Sequence, residues 1–168
     1  MSISIRAEQI GDIASIHDVT IAAFANAPHS EHTEQFIVKG LREAGALTRS
    51  LVAEQEGKII GHVALSPVSI SDGSEGWYGL GPISVLPEQQ GQGVGSLLMQ
   101  AAIDELKKMA AGGCVLLGDP GFYTRFGFKP LAGLELADVP PEYFLALVLQ
   151  GEQPQGLVSY HPAFWATN

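Results

Sequence analysis

Cysteine occurs once in the 168 residues, at Cys114. A single thiol excludes an internal disulfide, and its place in the apolar run Cys114-Val115-Leu116-Leu117 reads as a buried strand thiol, not a nucleophile. Positive charge is scarce: nine Lys and Arg stand against eighteen Asp and Glu, a formal net charge of −9. No basic face for nucleic-acid phosphates is expected from such a balance, and a cationic partner such as an amine is compatible with it. Long apolar runs are also missing. The longest late one, Phe144–Leu149, falls far short of the roughly 20 residues a membrane helix needs. The alternating start Ile3-Ser4-Ile5-Arg6 lacks the apolar stretch of a signal peptide. No Pro/Ser-rich linker, repeat or low-complexity tract divides the chain. With 46% hydrophobic residues, one cytoplasmic domain covering residues 1–168, with no membrane or nucleic-acid partner, is the expectation.

The hydrophobic periodicity predicts an α/β chain. Ile3–Arg6 reads as a strand and Asp12–Ala25 as a helix with Ile13, Ile16, Thr20, Ile21 and Phe24 on one face. A second helix is expected over Thr33–Ala44, with Phe36, Ile37 and Leu41 inward and Gly45 as its stop. Leu51–Gln55, a Glu56-Gly57 turn and Lys58–Ile70 form a hairpin, and Asp72-Gly73 turns the chain into a strand at Trp77–Val85. An amphipathic helix over Gly93–Met109 carries Leu97, Leu98, Ala101, Ile103 and Leu106 inward. Val115–Leu117 reads as a strand buried on both faces. A short helix then holds Tyr123, a hairpin-like section pairs Leu134–Leu136 with Tyr143–Leu149, and Gly156–Trp165 contains a last strand.

The glycines after Trp77–Val85 carry the clearest chemistry. In Pro87-Glu88-Gln89-Gln90-Gly91-Gln92-Gly93-Val94-Gly95-Ser96 an apolar strand stops, the chain turns, and a helix begins. Glycine leaves backbone N–H groups uncovered, and a helix N-terminus aims them at an anion. A phosphate cradle beyond a strand end is the reading. A P-loop would require a lysine that this loop lacks, and a dinucleotide turn would require glycine where Ser96 stands. A second polar cluster, His29-Ser30-Glu31-His32-Thr33-Glu34, places two imidazoles near carboxylates. No third strong ligand stands at fixed spacing, so no metal is expected.

Gln90-x-x-Gly93-x-Gly95 followed by Phe122-Tyr123-Thr124-Arg125-Phe126-Gly127-Phe128 resembles the signature of the GNAT N-acetyltransferase family. The wording Leu117-Gly118-Asp119-Pro120 before the tyrosine is similar to its YhbS-like subgroup. The resemblance implies a single-domain fold with a mixed central sheet splayed between the strand at 77–85 and the strand at 115–117, flanked by helices. It implies an acetyl-CoA-dependent transfer of an acetyl group directly to a primary amine, on a small molecule or a protein, by a protein compatible with a homodimer. The alternative is a non-catalytic sensor or partner module that binds acyl-CoA.

Carried over by position, the pantetheine arm would pair with the backbone of Ile83, Ser84 and Val85. The pyrophosphate would rest on Gln90, Gly91, Gln92, Gly93, Val94 and Gly95, with the Ser96 hydroxyl beside them. Tyr123 would protonate the departing thiolate. Two departures stand out. Gln90 replaces an arginine common in relatives, and Leu116 replaces an asparagine seven residues before the tyrosine. Trp77–Val85 also lacks the glutamate relatives use as a base, which leaves His62 and Glu75 as candidates. On the acceptor side the resemblance points to His29, His32, Glu34 and His62. Asp119, directly before Pro120-Gly121, reads as a helix N-cap.

Overall fold

The computed structural model describes residues 2–27 and 30–168. In chain order the elements are β1 (Ser4–Ala7), α1 (Ile13–Phe24), α2 (Glu34–Glu43), β2 (Arg49–Gln55), β3 (Lys58–Ile70), β4 (Trp77–Val85), α3 (Val94–Lys108), β5 (Gly113–Leu117), α4 (Pro120–Tyr123), β6 (Leu134–Glu135), β7 (Phe144–Val148) and β8 (Gly156–Tyr160). One mixed sheet runs β1-β2-β3-β4-β5-β7, and β8 pairs with both the far end of β3 and β6. All ladders of that path are antiparallel except β4 with β5, which is parallel. The α/β class and the mixed sheet with flanking helices are as expected.

Two faces follow from strand alternation. A side chain at Gly61 would point at Leu98 and Val94 of α3. The next residue, His62, points the opposite way, toward Ser50, Glu8 and Arg42 of α2. The sheet therefore separates α3 from α2 and from α1, which packs on α2, β3 and β4.

Helix α1 is anchored at its start by Asp12. Its carboxylate accepts two hydrogen bonds from Arg6, at 2.7 and 3.1 Å, and one from the Gln9 N–H. Such charge-assisted pairing holds the Asp12 carboxyl below its usual range. The inward face of α1 is Ile16, Val19 and Thr20, not the wider stripe expected, since Ile13 and Ile21 are exposed. Thr20 is tolerated there because its hydroxyl donates to the Ile16 carbonyl at 2.7 Å. In α2 the fully buried pair is Val38 and Leu41, with Phe36 and Ile37 at the margin.

α3 buries Val94, Leu98, Met99, Ala102, Ile103 and Leu106. Leu97 lies on the far side and is exposed, a shift of one position from the expected face. Lys107 and Lys108 close the helix, where the dipole favours cations.

Two further corrections concern the C-terminal third. β6 and β7 are not a hairpin. β7 lies antiparallel against β5, and β6 runs parallel to β8. The apolar patterns there are cut to fit two different neighbours, which periodicity alone does not separate. Leu117, at the end of β5, is exposed.

Candidate active site

β4 and β5 begin as neighbours and then part. Their register runs Trp77 to Gly113, Tyr78 to Cys114 and Gly79 to Val115, and stops. β4 continues to Val85 on β3, and β5 continues to Leu117 on β7. Between β3 and β4 the partners jump from Val63–Ile83 to Leu65–Leu80, so β4 carries one extra residue at Gly81-Pro82. This bulge bends β4 away from β5.

The Leu86 N–H donates to the Ile60 carbonyl of β3. Backbone groups alternate sides along a strand, so Ser84 also turns its backbone to β3, while Ile83 and Val85 turn theirs into the gap. Of the expected trio Ile83, Ser84 and Val85, the first and last therefore face the gap with their backbone, and Ser84 faces β3. In the structure the Val85 carbonyl accepts a hydrogen bond from the Gln90 side chain at 3.1 Å. An extended ligand could add to this edge as a further strand.

The gap leads to the glycine turn. Gly91 and Gly93 adopt left-handed φ values of 77° and 87°, and a side chain at either position would be strained. Gly93 is the N-cap of α3, and its carbonyl takes the Leu97 N–H. The N–H groups of Val94, Gly95 and Ser96 precede the first helical bond and have no partner within the helix. Gly91, Gly93, Gly95 and Ser96 line a depression of about 310 Å³. Gln92 turns back instead, toward the Glu88 carbonyl at 3.4 Å.

Beside it lies a larger cleft of about 580 Å³, with Ile83 and Val85 on one wall, Phe122 and Tyr123 on another, and the end of α1 on a third. Asp119 caps α4 by accepting from the Gly121 N–H at 2.9 Å, as expected. Tyr123 meets Phe122 edge-on, with ring centres 4.9 Å apart. Burial, helped by the nearby Asp119, raises the Tyr123 phenol above its ordinary value, so it is a protonated donor at neutral pH.

Arg125 is the residue the sequence reading passed over. Its guanidinium sits 4.9 Å from the Phe122 ring centre and lines the phosphate-sized depression. Arg125 thus brings a cationic side chain to this depression, where Gln90 is uncharged. Its position inside the tyrosine motif was the available signal.

The acceptor-side expectations fare differently. His29 lies outside the described residues. His32 is exposed, and Glu34 is occupied by the Ser30 hydroxyl at 2.7 and 2.8 Å. Neither lines the cleft among its described residues. Glu75 is exposed in the turn before β4, at the end of the strand away from the cradle. His62 is fully buried inside the sheet, and burial lowers it to about 4. Leu116 is also buried in the core. Cys114 is fully buried with its thiol pushed up, as expected of an inert strand residue. Among the described residues, no group of three or more His, Cys, Asp or Glu is gathered as metal ligands require, and no helix is long and apolar enough to cross a membrane.

Comparison with known proteins adds an independent finding. Residues 46–130 match the GNAT acetyltransferase domain. The N-acetyltransferase YhbS of Escherichia coli K12 is 38% identical over 117 residues, which is 69% of this chain and 70% of YhbS. The crystal structure of a GNAT family acetyltransferase from Brucella melitensis in complex with acetyl-CoA superimposes with a TM-score of 0.87. It has 47% identity, over 97% of this chain and 98% of that one. YhbS in complex with CoA gives a TM-score of 0.85 at 33% identity, over 99% of this chain and 93% of YhbS.

Proposed function

The chain belongs to the GNAT N-acetyltransferase family, and from that premise we propose that it transfers the acetyl group of acetyl-CoA directly to a primary amine. The observation that supports this most strongly is the continuity of three features: a parted pair of strands, a glycine cradle at the N-terminus of α3, and Tyr123 across the cleft. The reading takes residues 1–168 as one acetyltransferase domain, because a single sheet draws strands from both ends of the chain.

The residues fit this cosubstrate. Backbone groups of Ile83 and Val85 face the gap and suit the amides of a pantetheine arm. The free N–H groups of Val94, Gly95 and Ser96, with Arg125 opposite, suit a pyrophosphate. Acetyl-CoA supplies a thioester whose carbonyl an amine can attack. Tyr123 holds a proton on its phenolic oxygen and gives it to the sulfur as the C–S bond breaks. Cys114 is out of reach and un-ionised, so transfer needs no covalent enzyme intermediate.

The competing reading, an acyl-CoA sensor without turnover, draws on one feature. No Asp, Glu or His is among the described residues lining the cleft. Thermal melts separate the cosubstrate assignment from its rivals. Acetyl-CoA at saturation raises the melting temperature, whereas NADH and ATP do not. Stabilisation by NADH or ATP without acetyl-CoA contradicts the assignment. The acceptor is an amine-bearing small molecule or a protein amine.

A further inference from the structure

Four arginines occur in the chain, and three are tied to carboxylates. Arg6 pairs with Asp12 and Glu54, Arg42 with Glu8, and Arg49 with Glu105. Arg125 alone has no carboxylate at ion-pair distance among the described residues. Its guanidinium lies instead over the Phe122 ring, 4.9 Å from the ring centre, and the residue is exposed. An exposed arginine without a partner samples many rotamers, and ordering it on a ligand costs entropy. An aromatic face beneath the guanidinium removes part of that cost in advance.

The Phe122 ring is itself held. Phe126 meets it edge-on with 5.4 Å between ring centres, and a β-carbon at Gly95 would lie 3.6 Å from its Cζ atom. The tip of the ring therefore rests on the first turn of α3, at a residue whose N–H belongs to the cradle. Tyr123 meets the same ring edge-on at 4.9 Å. Phe122 lines both the depression beside the glycines and the larger cleft, whereas Arg125 lines only the first of these and Tyr123 only the second. One ring thus stands where the two cavities meet, against the cation of one and the aromatic ring of the other.

We propose that Phe122 is a positioning residue with two outputs. It holds the Arg125 guanidinium at the depression for the pyrophosphate of acetyl-CoA, and it sets the Tyr123 ring for proton transfer to the sulfur. The proposal rests on the acetyltransferase reading. Phe122 has no charge to offer and no proton to give, so its influence on cosubstrate affinity passes through Arg125 and its influence on turnover through Tyr123.

The test is a pair of double-mutant cycles on the full chain, with acetyl-CoA as the ligand and the best amine of a broad panel as acceptor. Phe122→Leu weakens acetyl-CoA binding about threefold at low salt and flattens its salt dependence, as Arg125→Ala does. Added to Arg125→Ala, it changes the affinity by less than about 1.5-fold. At saturating acetyl-CoA, Phe122→Leu lowers kcat about tenfold, and in a Tyr123→Phe background it lowers kcat by less than about twofold. A ring that only packs, or that touches the ligand itself, gives additive losses and an unchanged salt dependence, and that result overturns the proposal. Undiminished affinity or undiminished kcat in Phe122→Leu overturns it as well. Where Phe122→Leu does not fold, proton spectra of the wild type decide: the Arg125 side-chain methylenes are shifted upfield by the ring, and random-coil positions contradict the proposal. A wild type that binds no acetyl-CoA, or that turns over no amine, fails the acetyltransferase reading itself, whereas additive cycles in an active enzyme fail the positioning role alone.

Discussion

The Tyr123 ring lies against Gly118 so closely that a β-carbon at residue 118 would fall 2.3 Å from its Cε2 atom. The glycine is what allows the phenol to sit between β5 and the cleft. Gly118→Ala should displace the ring and lower kcat at least tenfold, with acetyl-CoA affinity nearly retained. Steady-state kinetics with a cofactor titration on the same variant checks both halves.

Tyr123→Phe keeps the ring and its edge contact with Phe122 but removes the proton. The expected outcome is a loss of about a hundredfold in kcat, the scale of a missing general acid. Affinity for acetyl-CoA and melting temperature should hardly move, because the hydroxyl has no hydrogen-bond partner among the described residues. A residue that only packs would leave turnover intact.

Gly93→Val forces a β-branched residue into φ 87° at the N-cap of α3, at a cost of about 1–3 kcal/mol. It also covers the N–H groups that face the cleft. Binding of acetyl-CoA should fall below detection by calorimetry, while Gln92→Ala, whose side chain only touches the Glu88 carbonyl, should bind within about threefold of wild type. Arg125→Ala lies between them, with a loss of affinity that fades as salt is raised.

The loop and the tyrosine were legible because their constraints are local. Positive φ demands glycine at 91 and 93, and the Asp119 cap announces the turn that carries Tyr123. The sheet core read well for the same reason, since β3 and β4 are long and their alternation is plain. What failed was non-local. Nothing in Phe144–Val148 says that it pairs with β5 and not with Leu134–Glu135. The backbone direction of Ser84 depends on where the Gly81-Pro82 bulge falls in the ladder. Glu75 and His32 looked usable as isolated polar residues, yet the fold carries neither into the cleft. Arg125 contacts Phe122 locally, but its place beside the glycine turn appears only once the chain folds back on the cradle.

His62 makes stability depend on pH. Burial lowers it to about 4 from an ordinary 6.5, so between those values the unfolded chain binds a proton that the folded chain refuses. Stability is therefore full above pH 6.5 and falls as acid is added, by about 3 kcal/mol once pH reaches 4. Melting curves of the wild type should drop steeply between pH 7 and pH 5 on that basis. His62→Gln, which has nothing to titrate there, should show a shallower fall over the same window.

The central claim is amine-dependent transfer from acetyl-CoA, and isotope-labelled acetyl-CoA with a broad amine panel tests it directly. The account predicts that CoA thiol release rises with added amine, that label appears on the amine in equal amount, and that none is found on the protein. Tight binding of acetyl-CoA with thiol release at the hydrolytic background for every amine would contradict it, and would leave a sensor in its place.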